Sequence, residues 1–365
     1  MKKRVLLGMS GGIDSSMAAY LLLREGYEVI GVTLQMYNQN EDPAHSADGK
    51  HASDTINEAK RVAGTLGIEH HDIDIREEFN ATVISHFIQE YLKGRTPNPC
   101  VFCNKTIKWP YLDKLAKKYE CELIATGHYA RIVEKGNKFY LQQGKDQKKD
   151  QSYFMWSLTQ DLLSKIIFPL GEYTKTEIKE LAAKKGFKDL SQKKESQEIC
   201  FIHDNDYRRF LKDAIPNEIK HIGKGNFISM DNKILGQHQG FPFYTIGQRK
   251  GLNIALGKPA YVTEIDPVHN KIRIGERKHS YKQSMLVKDW QLTDNIKEHE
   301  TREIDVKVRY KSPAVKGTIS KYNTYLFIRF SEPLFAITPG QSAVFYGGDL
   351  VIGGGVITQE AETGI

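Results

Sequence analysis

The chain has 365 residues, 40% of them hydrophobic and 27% charged, with a formal net charge of +7. This length exceeds one ordinary core and favours two or three domains, and the composition excludes fibrous and wholly disordered classes. Four cysteines over such a length exclude a secreted disulfide framework, no stretch reaches the apolar length of a membrane helix, and the mild positive charge admits a polyanionic partner without requiring one.

The opening "MKKRVLLGMSGG" enters a strand directly, without the long apolar region of a secretory signal, so the cytoplasm is the expected compartment. From there, strand-like and helical runs alternate for about two hundred residues. "RVLLGM" predicts a strand, Asp14 to Glu25 a helix, "YEVIGVTLQM" a second strand, "DTINEAKRVAGTLG" a helix and "IEHHDIDI" a third strand. "REEFNATVISHFIQEYLKG" and "YLDKLAKKY" follow as helices and "CELIATGHYA" as a strand, with Gly26, Gly67 and Gly94 placed as left-handed helix caps. The alternation predicts an α/β fold, with an N-terminal Rossmann-like parallel sheet covered by helices on both faces.

Between the first strand and the first helix lies the turn "GMSGGIDSS", Gly8 to Ser16. Glycines there let backbone N–H groups converge on an anion at a helix N-terminus, and Ser10, Ser15 and Ser16 add hydroxyl donors. The turn has neither the Gly-Lys-Ser/Thr ending of a Walker loop nor the dinucleotide glycine spacing. An acid at Asp14 suits a magnesium ion bridging carboxylate and phosphate oxygens. It suits equally well an ordinary helix with an acid in its first turn, and turn chemistry alone leaves both readings open.

After about Asp204 the texture changes. "GFPFYTIGQRKGLNIALGKPAYVTEIDPVHNKIRIGE" predicts a small β-rich module with a hairpin turn over 266–270. From about Tyr281, period-two alternation in "EIDVKVRY", "TYLFIRF" and "SAVFYGGDLVIGGGVI" predicts a C-terminal antiparallel β-barrel or sandwich. The expected division is 1–204, 205–280 and 281–365.

"SGGIDSS" resembles the SGGxDS loop of the ATP pyrophosphatases, which adenylate a carbonyl oxygen and release pyrophosphate. Within that superfamily, "GRTPNPCVFCNKTIKW", "ATGHYAR", "KDQSYFMWSL", "SQEICFI" and "GQHQGFPFYTIGQRKGL" are similar, in order, to the tRNA-specific 2-thiouridylase family (MnmA). The resemblance implies an adenine nucleotide alpha-hydrolase-like first domain, a central module touching tRNA, and a C-terminal barrel. It also implies a reaction in which ATP activates the C2 oxygen of the wobble uridine, position 34 of tRNA, and a cysteine persulfide supplies sulfur. Other adenylating ligases of the superfamily, or a non-catalytic cluster- or RNA-binding protein, are the competing readings.

By the resemblance, Gly8, Met9, Ser10, Gly11, Gly12, Ile13, Asp14, Ser15, Met36 and Gly127 contact ATP, with Mg2+ at Asp14. Asn98, Pro99, Cys100, His128, Lys149, Asp150, Gln151, Arg309, Tyr310 and Gln341 match positions that contact tRNA, the lysine, glutamate and glutamine acceptors being the expected ones. Cys103 and Cys200 match the nucleophile and the persulfide carrier, a role that thiolate chemistry and disulfide release can fill. The sulfur would come from a persulfide-donating carrier or a cysteine desulfurase. Many family members carry an acid where this chain has Cys100. That departure leaves the general base unassigned and creates a Cys-x-x-Cys pair, which with Cys200 could ligate three irons of an iron–sulfur cluster. Persulfide relay and cluster both stay open. Cys121, in "CELIATG", reads as a buried core thiol.

Overall fold

The computed structural model describes residues 2–37, 52–187, 189–190, 199–202, 204–254 and 257–359. They fall into two compact units. The first comprises Met1–Val83, Cys100–Asp204 and Asp349–Ile352; the second comprises Ile84–Pro99, Asn205–Gly348 and Gly353–Ile365. Ser196, Gln197 and Glu198 of the "SQEICFI" motif lie outside the described residues.

The first unit begins with β1 (Arg4–Gly8), α1 (Ile13–Arg24), β2 (Glu28–Gln35), α2 (Ala52–Leu66) and β3 (Glu69–Asp74). Next come α3 (Arg76–Phe79), a π turn over Asn80–Ile84, and α4 (Ser85–Leu92), which belongs to the second unit. The first unit resumes with α5 (Pro99–Cys103), a π turn over Asn104–Lys108, α6 (Trp109–Lys118) and β4 (Leu123–Thr126). The hairpin β5 (Ala130–Lys135) and β6 (Lys138–Gln143) precedes α7 (Gln160–Leu163), β7 (Ile166–Ile167) and α8 (Lys175–Lys184).

Strands β3-β2-β1-β4-β7 form one parallel sheet, as the alternation predicts. Val5, Leu6 and Leu7 are wholly buried, the unbroken apolar run of a strand covered on both faces. Met17, Ala18, Leu21 and Leu22 of α1 join Val5, Leu7, Val62, Leu170 and Ile178 in one core cluster. Gly26, Gly67 and Gly94 take positive φ angles of 89°, 67° and 70°, as helix caps should. The β5–β6 hairpin is not foreseen in the sequence. Its strand β6 pairs Gln142 and Leu141 with Leu350 and Val351, residues from near the chain's far end.

In the second unit, α9 (Tyr207–Ala214) and α10 (Pro216–Ile222) lead into β8 (Gly225–Ile228) and β9 (Ile234–His238). These join β10 (Tyr261–Asp266) and β11 (Lys271–Gly275) in a four-stranded sheet, order β10-β11-β8-β9. The expected hairpin turn over 266–270 joins β10 to β11, with Asn270 at φ 49°. Among the described residues, the part of the expected β-rich segment before it holds a short 3-10 turn at Phe241–Phe243, while β8 and β9 lie upstream.

The last strands are β12 (Tyr281–Leu292), β13 (Thr301–Lys307), β14 (Val315–Tyr322), β15 (Tyr325–Phe335), β16 (Ser342–Gly347) and β17 (Leu350–Thr358). In order β12-β15-β14-β13-β16-β17 they close through β12–β17 pairing into a six-stranded barrel. The period-two pattern has its expected cause: Ile304 and Val306, then Leu326, Ile328 and Phe330, point alternately into the barrel core.

Candidate active site

In the first unit β1 has β2 on one side and β4 on the other, so the strand order reverses between β1 and β4. Such a switch point, at the carboxyl ends of the strands, is where open α/β sheets bind ligands. The glycine turn leaves β1, Met36 follows β2 directly, and Gly127 follows β4 directly. The topology therefore gathers the expected nucleotide residues at one end of the sheet.

Only one of the turn's glycines is conformationally demanded. Gly11 has φ +67°, and a Cβ there would stand 2.4 Å from the Thr55 carbonyl oxygen of α2. Gly8 and Gly12 would meet neighbours within the chain no closer than 3.5 and 3.6 Å. Gly127 is required for closeness: its added Cβ would lie 2.7 Å from both Asp14 C and Ser15 N.

The turn's own serines brace it. Ser15 Oγ accepts from the Ser10 amide at 3.2 Å and donates to Gly12 O at 3.1 Å, while Ser16 Oγ donates to Gly12 O at 2.9 Å. Gly12 is the N-cap of α1 and offers no side-chain acceptor. The first amides of α1 are thus left to another acceptor, as at anion-binding helix termini. Met9 and Ile13 turn their side chains into the core, so their part in the turn belongs to the backbone. The Met9 carbonyl is held by the Thr33 hydroxyl at 3.0 Å.

Asp14 is not an unpaired carboxylate. Lys175 Nζ donates to its Oδ1 at 2.6 Å and to its Oδ2 at 2.7 Å, and Tyr129 OH donates to Oδ1 at 2.8 Å. A divalent cation would share this single acid with a buried ammonium, which favours a metal held chiefly by phosphate oxygens over one built into the protein. Neither Lys175 nor Tyr129 was singled out in the sequence. A signal existed for Lys175: a cation at the first position of a helix opposes the helix dipole, and such a residue calls for an acidic partner.

The cysteines form the second feature. One turn of α5 separates Cys100 from Cys103, and Cys200 lies close enough to both for their charges to act on it. Burial pushes all three thiols up, with Cys100 and Cys103 raising Cys200 further; the Lys108 charge pulls each of them down, and a backbone hydrogen bond also lowers Cys200. Cys100 and Cys200 expose part of their surface, yet surrounding protein still desolvates their sulfurs. All four cysteines carry free thiols. Among the described residues no three His, Cys, Asp or Glu side chains are arranged to hold a metal ion, so the geometry lends the cluster reading no support. Cys121 is the core thiol its strand suggested, raised to about 11 by burial.

Several residues expected at tRNA hold the protein's own loops. Asp150 is buried and accepts from the Gly144 amide, the Ser152 amide and the Ser152 hydroxyl at 3.1, 3.1 and 2.9 Å. The Gln151 side-chain oxygen accepts from the Tyr129 amide at 2.9 Å. His128 bonds through Nδ1 to the Thr126 hydroxyl at 2.7 Å, and desolvation holds its pKa to about 3. It is neutral at physiological pH and offers no cation to a phosphate. Lys149 is half-buried in the same segment.

In the second unit, Arg309 donates to the Ile246 and Ala336 carbonyls at 3.2 and 2.9 Å and to the Thr338 hydroxyl at 2.6 Å. Gln341 donates to the Thr96 and Pro97 carbonyls at 2.9 and 3.0 Å, fixing the turn that carries Asn98 and Pro99. Tyr310, beside Arg309, is half-buried.

Residues 3–204 match the family described as the tRNA methyl transferase HUP domain, residues 208–276 its PRC-barrel domain, and residues 282–357 the aminomethyltransferase beta-barrel domain. Curated relatives named tRNA-specific 2-thiouridylase MnmA match over nearly the whole chain. That of Cytophaga hutchinsonii is 46% identical over 98% of this chain and 97% of its own length. Those of Amoebophilus asiaticus and Carboxydothermus hydrogenoformans are also 46% identical, over 98% of this chain and 96% and 98% of theirs. Identity of this extent, across all three matched regions, shows that the chain belongs to the tRNA-specific 2-thiouridylase (MnmA) family.

Proposed function

We propose that this protein uses ATP to place sulfur on C2 of the wobble uridine of tRNA, yielding 2-thiouridine, AMP and pyrophosphate. The family supports the tRNA thiolation, and the glycine turn at the switch point supports the use of ATP. The observation that carries the sulfur step is the convergence of Cys200 on Cys103, far apart in sequence, within the unit that also holds the turn.

In this reading the uracil C2 oxygen attacks the α-phosphorus of ATP, and pyrophosphate departs. The terminal sulfur of a Cys200 persulfide then attacks C2, and AMP leaves with the former carbonyl oxygen. The Cys103 thiolate attacks Cys200 Sγ, cleaving the sulfur–sulfur bond and leaving a Cys103–Cys200 disulfide. Two electrons from a cellular dithiol restore both thiols. Backbone amides at the start of α1, with Ser10 and Ser15, would hold the phosphates, and Met36 and Gly127 would border the adenosine. Mg2+ would neutralise phosphate charge.

Burial favours the protonated thiol at Cys103, so its attack as a thiolate requires loss of that proton, and Lys108 is the cation whose charge favours the loss. We assign catalysis to 1–204, tRNA contact to 205–280 and the barrel to 281–365, with a persulfide carrier or cysteine desulfurase as sulfur source, the lysine, glutamate and glutamine tRNAs as substrates, and the cytoplasm as the setting. Persulfide relay is preferred to an iron–sulfur cluster on the donor geometry described above.

The test is release of AMP and pyrophosphate from ATP by anaerobically purified protein, with and without unmodified tRNA bearing a wobble uridine. ATP cleavage that depends on tRNA is expected. Cys200→Ser should retain that cleavage and form no 2-thiouridine; thiolated product from this variant contradicts the assignment.

A further inference from the structure

We propose that Lys175 is the charge-balancing residue of the glycine turn: it neutralises Asp14, so that the phosphates of a nucleotide can approach the N-terminus of α1. The proposal rests on the reading of the turn as an ATP site. It deepens that reading by assigning a residue that lies far from the turn in sequence.

Three observations converge on Lys175. It is only 7% exposed, although lysine is rarely buried without a partner. Its Nζ meets both carboxylate oxygens of Asp14, at 2.6 and 2.7 Å, and stands 5.7 Å from the centre of the Tyr129 ring, which also hydrogen-bonds Asp14. It sits at the first position of α8, where a cation opposes the helix dipole, yet α8 is built to hold it there. Thr174 and Glu177 form a capping box, and Asp146 accepts the Lys175 amide at 3.0 Å.

The electrostatic need is on the other side of the pair. Asp14 lies in the first turn of α1, where the helix dipole and open amides would draw an anion. An uncompensated carboxylate at that position repels the phosphates that the amides attract, and burial near protein strengthens the repulsion. A Walker loop carries its lysine within its own turn. Here the equivalent charge comes from α8 and is spent on the acid.

The test is equilibrium binding of radiolabelled ATP to the full chain in EDTA, so that no divalent cation screens Asp14. Wild-type protein, Lys175→Met, Asp14→Asn and the double variant are compared, with folding followed by circular dichroism. Lys175→Met should weaken ATP binding by about tenfold or more, Asp14→Asn should bind at least as tightly as wild type, and the double variant should return to within about threefold of wild type. Restoration by the second substitution is what a merely structural lysine, or one gripping phosphate directly, does not produce. A double variant as weak as Lys175→Met overturns the proposal, as does Lys175→Met binding like wild type. Should Lys175→Met not fold, the other two variants decide: Asp14→Asn binding more weakly than wild type overturns it. Wild-type protein that binds no ATP overturns instead the nucleotide reading of the turn.

Discussion

Gly11 and Gly12 stand side by side in the turn and do different things. Gly11 occupies left-handed backbone under a carbonyl of α2, whereas Gly12 has φ −88° and a Cβ there would make only an ordinary contact with Ser10 Oγ at 3.6 Å. Gly11→Ala should therefore cost about 1–3 kcal/mol of stability, and Gly12→Ala less than about 1 kcal/mol, in urea unfolding. Equal costs would show that the turn relaxes. At this scale the sequence was legible where chemistry is local. The turn, its serines and the acid could be read in a row. The partner of Asp14 could not, because it lies 161 residues away and only the fold unites them. The same holds for Asp150, Arg309 and Gln341, matched to tRNA contacts by resemblance, whose side chains bond backbone amides and carbonyls of this chain. A polar residue's type does not tell whether its partner is solvent, ligand or backbone.

Among elements, α8 shows how secondary structure sets up chemistry. Its capping box fixes where the helix begins, and that start fixes where Lys175 points. Thr174→Ala should lower stability by about 1 kcal/mol and raise the KM for ATP, because the first turn that carries Lys175 frays. A KM unchanged by this substitution would separate the cap from the site. Strands β1, β2 and β4 were legible because their apolar runs are bounded by glycines and by helices of clear period, and the barrel strands because one face is buried and the other wet, whereas the two-residue β7 was not foreseen. The β5–β6 hairpin and strands β8 and β9 were not. They are short, and the buried residues, such as Leu141 alone in β6, do not alternate with exposed ones. Pairing with distant strands supplies what local pattern lacks.

For the molecule as a whole, each unit keeps a neutral histidine inside. Burial lowers His128 from 6.5 to about 3 in the first unit and His238 to about 4 in the second. The unfolded chain takes up these protons near pH 6.5 while the folded chain refuses them, so stability falls as pH drops below about 6.5. Thermal unfolding at pH 7.5 and pH 5.0 should show the lower midpoint at pH 5.0, and a flat profile across that window argues against buried neutral rings. Asp74, Glu177 and Asp231, each held at about 2, act in the same direction only below about pH 4. The pairing of β6 with Leu350 and Val351 bears on synthesis. The first unit includes Asp349–Ile352, so a nascent chain cannot complete it until the start of β17 has been made. A chain stalled in the barrel leaves β6 without that partner, an open edge inviting aggregation.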